Sequence, residues 1–70
     1  MNVLTAIKIV NALIGLGVQY MQVSRMMRVI QDAHEQGRDI TKEELDHAMS
    51  AMNQADVELA NAILKREQGK

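Results

Sequence analysis

The feature that most limits how this chain can fold is the stretch from Gly37 to Leu45, which carries a helix stop and a helix start. Thr41 is a candidate N-cap residue, and Glu44 three residues later completes a capping box. Ile40 and Leu45 occupy the two positions of a hydrophobic staple. Gly37 stands where a preceding helix would end in the left-handed conformation. The stretch therefore predicts a tight turn between two helices.

Length and composition favour long helices that associate. The chain has 70 residues, near the lower limit for a self-sufficient core, and it has no Cys to form disulfides or thiolate metal sites. It also has no Pro, Trp or Phe, so the core must consist of aliphatic side chains and Met. We predict an all-α fold with one domain, residues 1–70, and helices at about 3–36 and 42–66 around a turn at 37–41. This antiparallel helical hairpin is expected to assemble into a homodimeric four-helix bundle or a higher helical oligomer.

The predicted first helix carries two apolar seams. The first has an unbroken heptad spacing and is expected to pack against the second helix. The other seam lies opposite, and a hairpin needs only one, so we expect the second to form an oligomer or partner interface. The heptad seam consists of Ile9, Leu13, Leu16, Tyr20, Val23, Met27, Ile30 and His34. The predicted interface, which includes residues from the end of the second helix, consists of Val3, Ile7, Val10, Ile14, Gly17, Met21, Val57 and Leu64.

Other features of the two helices lead to further expectations. Asp56 falls inside the apolar stripe of the second helix, so it is expected to meet water or a cation from a neighbouring chain. The first helix is longer, so about ten of its residues are expected to project beyond the second as an apolar rod. Gly15 and Gly17 are interpreted as points of close helix approach, with a small hinge as the alternative.

Catalytic and metal-binding groupings are not recognisable in the sequence, and we predict no enzyme activity, no cofactor and no metal site. His34 and His47 are the only histidines, and the hairpin would bring them to the same end of the molecule. Their spacing matches no metal-binding motif, so they are interpreted as solvated or capping residues.

Several cations remain to be interpreted. Arg25 and Arg28 are candidates for ion-pair contacts with a partner, and the tail is basic at Lys65, Arg66 and Lys70. No basic helix face is long enough for many phosphate contacts, so the sequence does not favour nucleic acid as a partner. A third alternative is a pocket between chains for a small anionic ligand, formed by Arg25, Arg28 and Tyr20.

Membrane association is the main alternative, because no charged residue lies between Lys8 and Arg25. The strongly apolar part is shorter than the roughly 20 residues that a spanning helix needs, and polar residues such as Asn11 and Gln19 interrupt it. A buried helix of a soluble, cytoplasmic oligomer is the favoured interpretation.

Residues 35–46, with the sequence EQGRDITKEELD, resemble the hairpin turn of small uncharacterised phage and prophage proteins. In those proteins an apolar N-terminal helix meets a GR(D/E)(I/V)T-x-EEL turn, and an Ala-rich helix with a basic end follows. The resemblance carries over no functional residues. It implies an accessory protein that inhibits a host or defence protein in the host cytoplasm, or a minor virion or lysis-associated component. With the second apolar seam, it favours a non-enzymatic protein that forms a dimer and binds another protein.

Overall fold

The computed structural model describes residues 1–69 and places them in four helices. Packing joins α1 to both α2 and α4, and joins α2 to α3. The all-α class is therefore confirmed for these residues, which contain no β-strand. Lys70, the last residue of the basic tail, lies outside the described part of the chain. The helices are α1 (Val3–Gly15), α2 (Tyr20–Gln36), α3 (Lys42–Met49) and α4 (Gln54–Gln68).

The prediction of one continuous helix over 3–36 is wrong, because the chain reverses between α1 and α2. Gly17 has a φ of 98°, a left-handed conformation that glycine adopts readily. Its N–H donates to the Ile14 carbonyl, and the Val18 N–H donates to the Leu13 carbonyl, each at 3.0 Å. This pair of hydrogen bonds is a Schellman motif, and it ends α1. Val18 and Leu13 are both buried in the core, so apolar packing supports the reversal.

The reversal brings the start of α1 back to the turn between α2 and α3. The Met1 amino group donates to the Ile40 carbonyl at 2.9 Å, and the Ile40 N–H donates to the Met1 carbonyl at 2.7 Å. The expected overhang of the first helix is therefore wrong. Asn2 caps α1, because its side-chain oxygen accepts from the Thr5 N–H at 2.7 Å.

The predicted helix over 42–66 is also interrupted, at the junction of α3 and α4. Asn53 caps α4, because its side-chain oxygen accepts from the Asp56 N–H at 2.9 Å. The Asn53 N–H donates to the Gln22 side-chain oxygen at 2.9 Å, which ties the start of α4 to the start of α2. Asp56 therefore lies in the first turn of α4, where the helix dipole favours an acid, and not within a continuing apolar stripe.

The turn between α2 and α3 has the predicted capping chemistry. Gly37 ends α2 in the left-handed conformation, with a φ of 64°. The Thr41 hydroxyl oxygen accepts from the Glu44 N–H, and the Thr41 N–H donates to Glu44 Oε1, both at 3.1 Å. The capping box is therefore confirmed. Ile40 and Leu45, the predicted staple residues, are both buried in the core.

A partly exposed ion pair between Arg38 and Glu44 links the two sides of this turn. Arg38 donates from both terminal nitrogens to the two carboxylate oxygens of Glu44, at 2.7 and 2.9 Å. These hydrogen bonds, with those from Thr41, lower the pKa of Glu44 to about 2. Because both side chains remain partly exposed, we expect the pair to fix the shape of the turn more than to stabilise the fold.

The core differs from the predicted heptad seam. Leu16, Tyr20 and Met27 were expected to face the second helix, but all three are exposed. Their spacing fits a face only if α1 continues into α2, and the reversal removes that continuity. The largest fully buried side chains are Ile9, Leu13, Val23, Met26 and Ile40. The remaining core residues are Ala6, Val10, Val18, Ala33, Leu45, Ala48, Met49, Met52 and Ala60.

Alanine substitutions at the two glycines near the reversal should change stability in opposite directions. Gly17→Ala puts a Cβ on a left-handed residue and should lower the free energy of unfolding by about 1–2 kcal/mol. Gly15→Ala adds a Cβ to the last residue of α1, where it meets no atom within 4 Å. That change should raise the free energy of unfolding by up to about 1 kcal/mol. Urea denaturation followed by circular dichroism measures both, and stabilisation by Gly17→Ala would support a continuous helix instead.

The ion pair at the turn should make part of the stability depend on pH. The Glu44 pKa is about 2 in the folded chain, against 4.5 for an unperturbed glutamate side chain. Its contribution is therefore complete above about pH 4.5 and is lost as the pH falls towards about 2. The difference in unfolding free energy between the native chain and Glu44→Gln should shrink across this range in urea melts. Glu43→Gln controls for the loss of an exposed carboxyl that makes no ion pair, and a constant Glu44 difference would contradict the assignment.

Candidate interaction surface

Helix α1 carries apolar side chains on two sides. Leu4, Ile7 and Ile14 point away from the core, with exposed fractions of 63%, 38% and 44%. Their spacing places them on one side of the helix, together with Asn11, and we call these four residues the outer face of α1. Lys8 is the only charged residue of this helix. The opposite side of α1 is buried and consists of Ala6, Ile9, Val10 and Leu13.

The exposed apolar residues continue through the reversal into α2. Leu16 and Tyr20 are each about two-thirds exposed, Met21 is 78% exposed, and Met27 is 36% exposed. Among residues 1–69, every large hydrophobic side chain that is exposed lies between Leu4 and Met27. Exposed large apolar side chains concentrated in one stretch of a chain are candidates for an interaction surface.

Leu16 also borders a groove of about 430 Å³ between the ends of α1 and α4. The groove is lined mainly by small and aliphatic residues, and Arg66 and Glu67 also line it. The apolar surface therefore extends from the reversal towards the last turns of α4.

The predicted interface residues lie in different environments. Ile7, Ile14 and Met21 are exposed, as an interface requires. Val10 is buried within the chain itself, and Gly17 forms the reversal, so neither offers an apolar side chain to a partner. The remaining three, which are partly buried against the core, are Val3, Val57 and Leu64.

Part of this surface was not predicted from the sequence. Leu16, Tyr20 and Met27 were assigned to the heptad seam, and Leu4 was not assigned to the interface. Leu4 and Ile7 are three residues apart and so lie on the same side of a helix. A predicted helix that ended at Gly15 would therefore have placed Leu4 on the outer face.

The two arginines share a second groove, of about 370 Å³, between α2 and α3. Tyr20, which the sequence analysis grouped with them, is not among the residues that line it. None of the cationic or imidazole groups in the groove forms an ion pair or hydrogen bond through its side chain within residues 1–69. The groove is lined by Arg25, Arg28, Val29, His47 and Ala48.

The described residues contain neither a metal-binding cluster nor a membrane-spanning helix. No group of three or more His, Asp or Glu side chains between residues 1 and 69 is arranged to hold a metal ion. None of the four helices is both long enough and apolar enough to cross a bilayer. Comparisons with protein-family models, curated proteins and solved structures give no match.

The exposure of Met21 should be visible in its reactivity. Dilute hydrogen peroxide should oxidise Met21 several times faster than Met26, which is 1% exposed on the same helix. Mass spectrometry of peptides from the folded protein, sampled over time at low protein concentration, gives both rates. Met49 is a second buried control. Equal rates at Met21 and Met26 would contradict the orientation of α2.

Proposed function

We propose that this chain is a non-enzymatic helical protein that self-associates as a homodimer and acts by binding another protein. The observation that carries the proposal is the outer face of α1, where Leu4, Ile7 and Ile14 are exposed on a helix whose other side is already buried. Isoleucine forms helices less readily than alanine or leucine, so helix stability does not explain two isoleucines on a solvent-facing side. Covering them with another apolar surface would be favourable.

A second copy of the chain is the first occupant that we propose for this face. A 70-residue chain without Cys has a limited core and gains stability from area buried between subunits. Stable interfaces bury about 800 Å² on each partner around an apolar centre, and Leu4, Ile7 and Ile14 would form such a centre. A two-fold dimer brings the same patch of both copies together. Because Lys8 is the only charge on α1, this contact would desolvate few charged groups.

The same surface would suit an amphipathic helix from another protein. Met21 and Met27 have flexible side chains that adapt to differently shaped partners. The resemblance of residues 35–46 to a phage protein turn extends the proposal to a phage-encoded accessory factor that inhibits a host or defence protein in the host cytoplasm. A partner helix and the second copy would then compete for the outer face of α1.

A membrane-associated role, or a minor virion or lysis-related role, is the alternative. The outer face of α1 with Lys8 beside it has the composition of a helix that lies on a bilayer surface. Such a role would use the same apolar residues, so it must be separated from self-association by experiment.

The double substitution Ile7→Glu with Ile14→Lys should convert the dimer into a monomer. Glu in the first half of α1 and Lys in its last turn both suit the helix dipole, so the helix itself should be retained. Light scattering over a dilution series should give twice the 7.8 kDa chain mass for the native protein and the single-chain mass for the variant. Circular dichroism should show unchanged helix content in both.

Gln54→Lys with Asn61→Glu is the matched control, because it places the same two charges seven residues apart on exposed positions of α4. This control should remain a dimer. A double variant of α1 that keeps the dimer mass would contradict the interface. A native chain that is monomeric throughout and floats with phosphatidylcholine–phosphatidylglycerol vesicles, while the α1 variant does not, would support the membrane alternative instead.

A further inference from the structure

We propose that the groove between α2 and α3 is a binding site for the phosphate group of a small molecule, held by Arg25, Arg28 and His47. The site is separate from the outer face of α1, and it does not depend on the proposed self-association. Three observations support it: the convergence of the donors, their lack of partners, and the shape of the groove.

The donors converge only in the folded chain. Arg25 and Arg28 are three residues apart on α2, so their side chains leave the same side of the helix. His47 comes from α3, beyond the turn, and lines the same groove because α3 packs against α2. The heptad and motif patterns of the sequence do not connect these three residues.

The donors are also free to bind a ligand. The chain has nine acidic residues, yet neither guanidinium forms an ion pair or hydrogen bond within the described residues, and the same holds for the His47 side chain. Asp32, one turn beyond Arg28 on α2, does not pair with it. By contrast, Arg38 donates hydrogen bonds to the Glu44 carboxylate, the Gln36 side-chain oxygen and the Asp39 carbonyl at the turn. The groove therefore contains two uncommitted guanidinium groups.

The chemistry of these groups suits a phosphate oxyanion. A guanidinium presents a planar fork of N–H donors that matches two phosphate oxygens, and it has no acceptor to repel them. An imidazole offers an N–H donor in either protonation state. Val29 and the buried Ala48 give the groove apolar walls, which weaken the competition from water.

The dimensions of the groove suit a small phosphate-containing molecule. Its volume of about 370 Å³ is near the lower end of the range for ligand sites, about 300–1,000 Å³. That space holds a phosphate group with a short organic substituent. A nucleic acid backbone would need a longer row of cations than these two arginines provide.

Titrations of the isotope-labelled protein by NMR test the site. Glycerol 3-phosphate serves as the phosphate monoester, inorganic phosphate as the free anion, and sodium chloride at matched ionic strength as the screening control. The two phosphate titrations should give saturable shifts at Arg25, Arg28 and His47, and chloride should not. Tighter binding of glycerol 3-phosphate would assign the space beside the arginines to an organic group, whereas equal affinities would assign the site to the phosphate group alone.

Variants distinguish a defined site from general electrostatic attraction. Arg25→Gln with Arg28→Gln should weaken phosphate binding by about tenfold or more, because two charge-assisted contacts are lost. Lys65→Gln with Arg66→Gln removes the same charge from α4 and should change affinity by less than about twofold. His47→Gln should cause a smaller loss than the arginine pair. Equal losses in the two charge variants, or shifts that chloride reproduces, would overturn the proposal; the native NMR spectrum of each variant verifies that the fold is retained.

Discussion

The reversal at Gly17 determines where the apolar side chains of the first half of the chain lie. It costs the helical hydrogen bonds that would join α1 to α2, but the two Schellman bonds to Ile14 and Leu13 replace part of them. In return α1 lies against α2 and α4, and burying each large side chain such as Ile9 contributes about 1.5–3 kcal/mol. The exchange of hydrogen bonds with Ile40 fixes the other end of α1 at the distant turn. A straight helix would forgo all of these contacts.

The turn at residues 37–45 was predictable because its signals are local and redundant. A glycine stop, a capping box and an apolar staple all lie within one short segment and indicate the same conformation. The reversal had only half of this set: Gly17 and the buried Val18 form a stop signal, but Gln19, the N-cap residue of α2, makes no side-chain capping hydrogen bond. A heptad spacing also runs across the break by coincidence, and it favoured the continuous helix. Val18 is buried in the core, and this tertiary contact, which supports the reversal, is not part of the local sequence pattern.

The break before α4 shows a different limit on what can be predicted from the sequence. Asn53 and Asp56 do form a recognisable helix start, yet no glycine or proline marks the end of α3. The bond from Asn53 to Gln22 joins residues 31 positions apart, so no local pattern contains it. The exposure of the predicted interface residues also depends on contacts between distant parts of the chain. Ile7 and Ile14 are exposed on α1, but Val10 of the same predicted seam is buried, because α1 packs against both α2 and α4 and not against one helix alone.

The two proposed sites constrain each other through α2. Met21, Arg25 and Arg28 follow at spacings of four and three residues, so they lie along one side of this helix. In a two-fold dimer, a symmetry axis close to Met21 would bring the arginines of both copies together, and Asp32, the one acid within a turn of Arg28 on α2, would offset only part of the repulsion. An axis close to Ile7 and Ile14 avoids this cost, because α1 carries only Lys8. For the proposed dimer, the electrostatics therefore favour a contact centred on α1, which would leave the arginine groove open to solvent and to the proposed phosphate ligand.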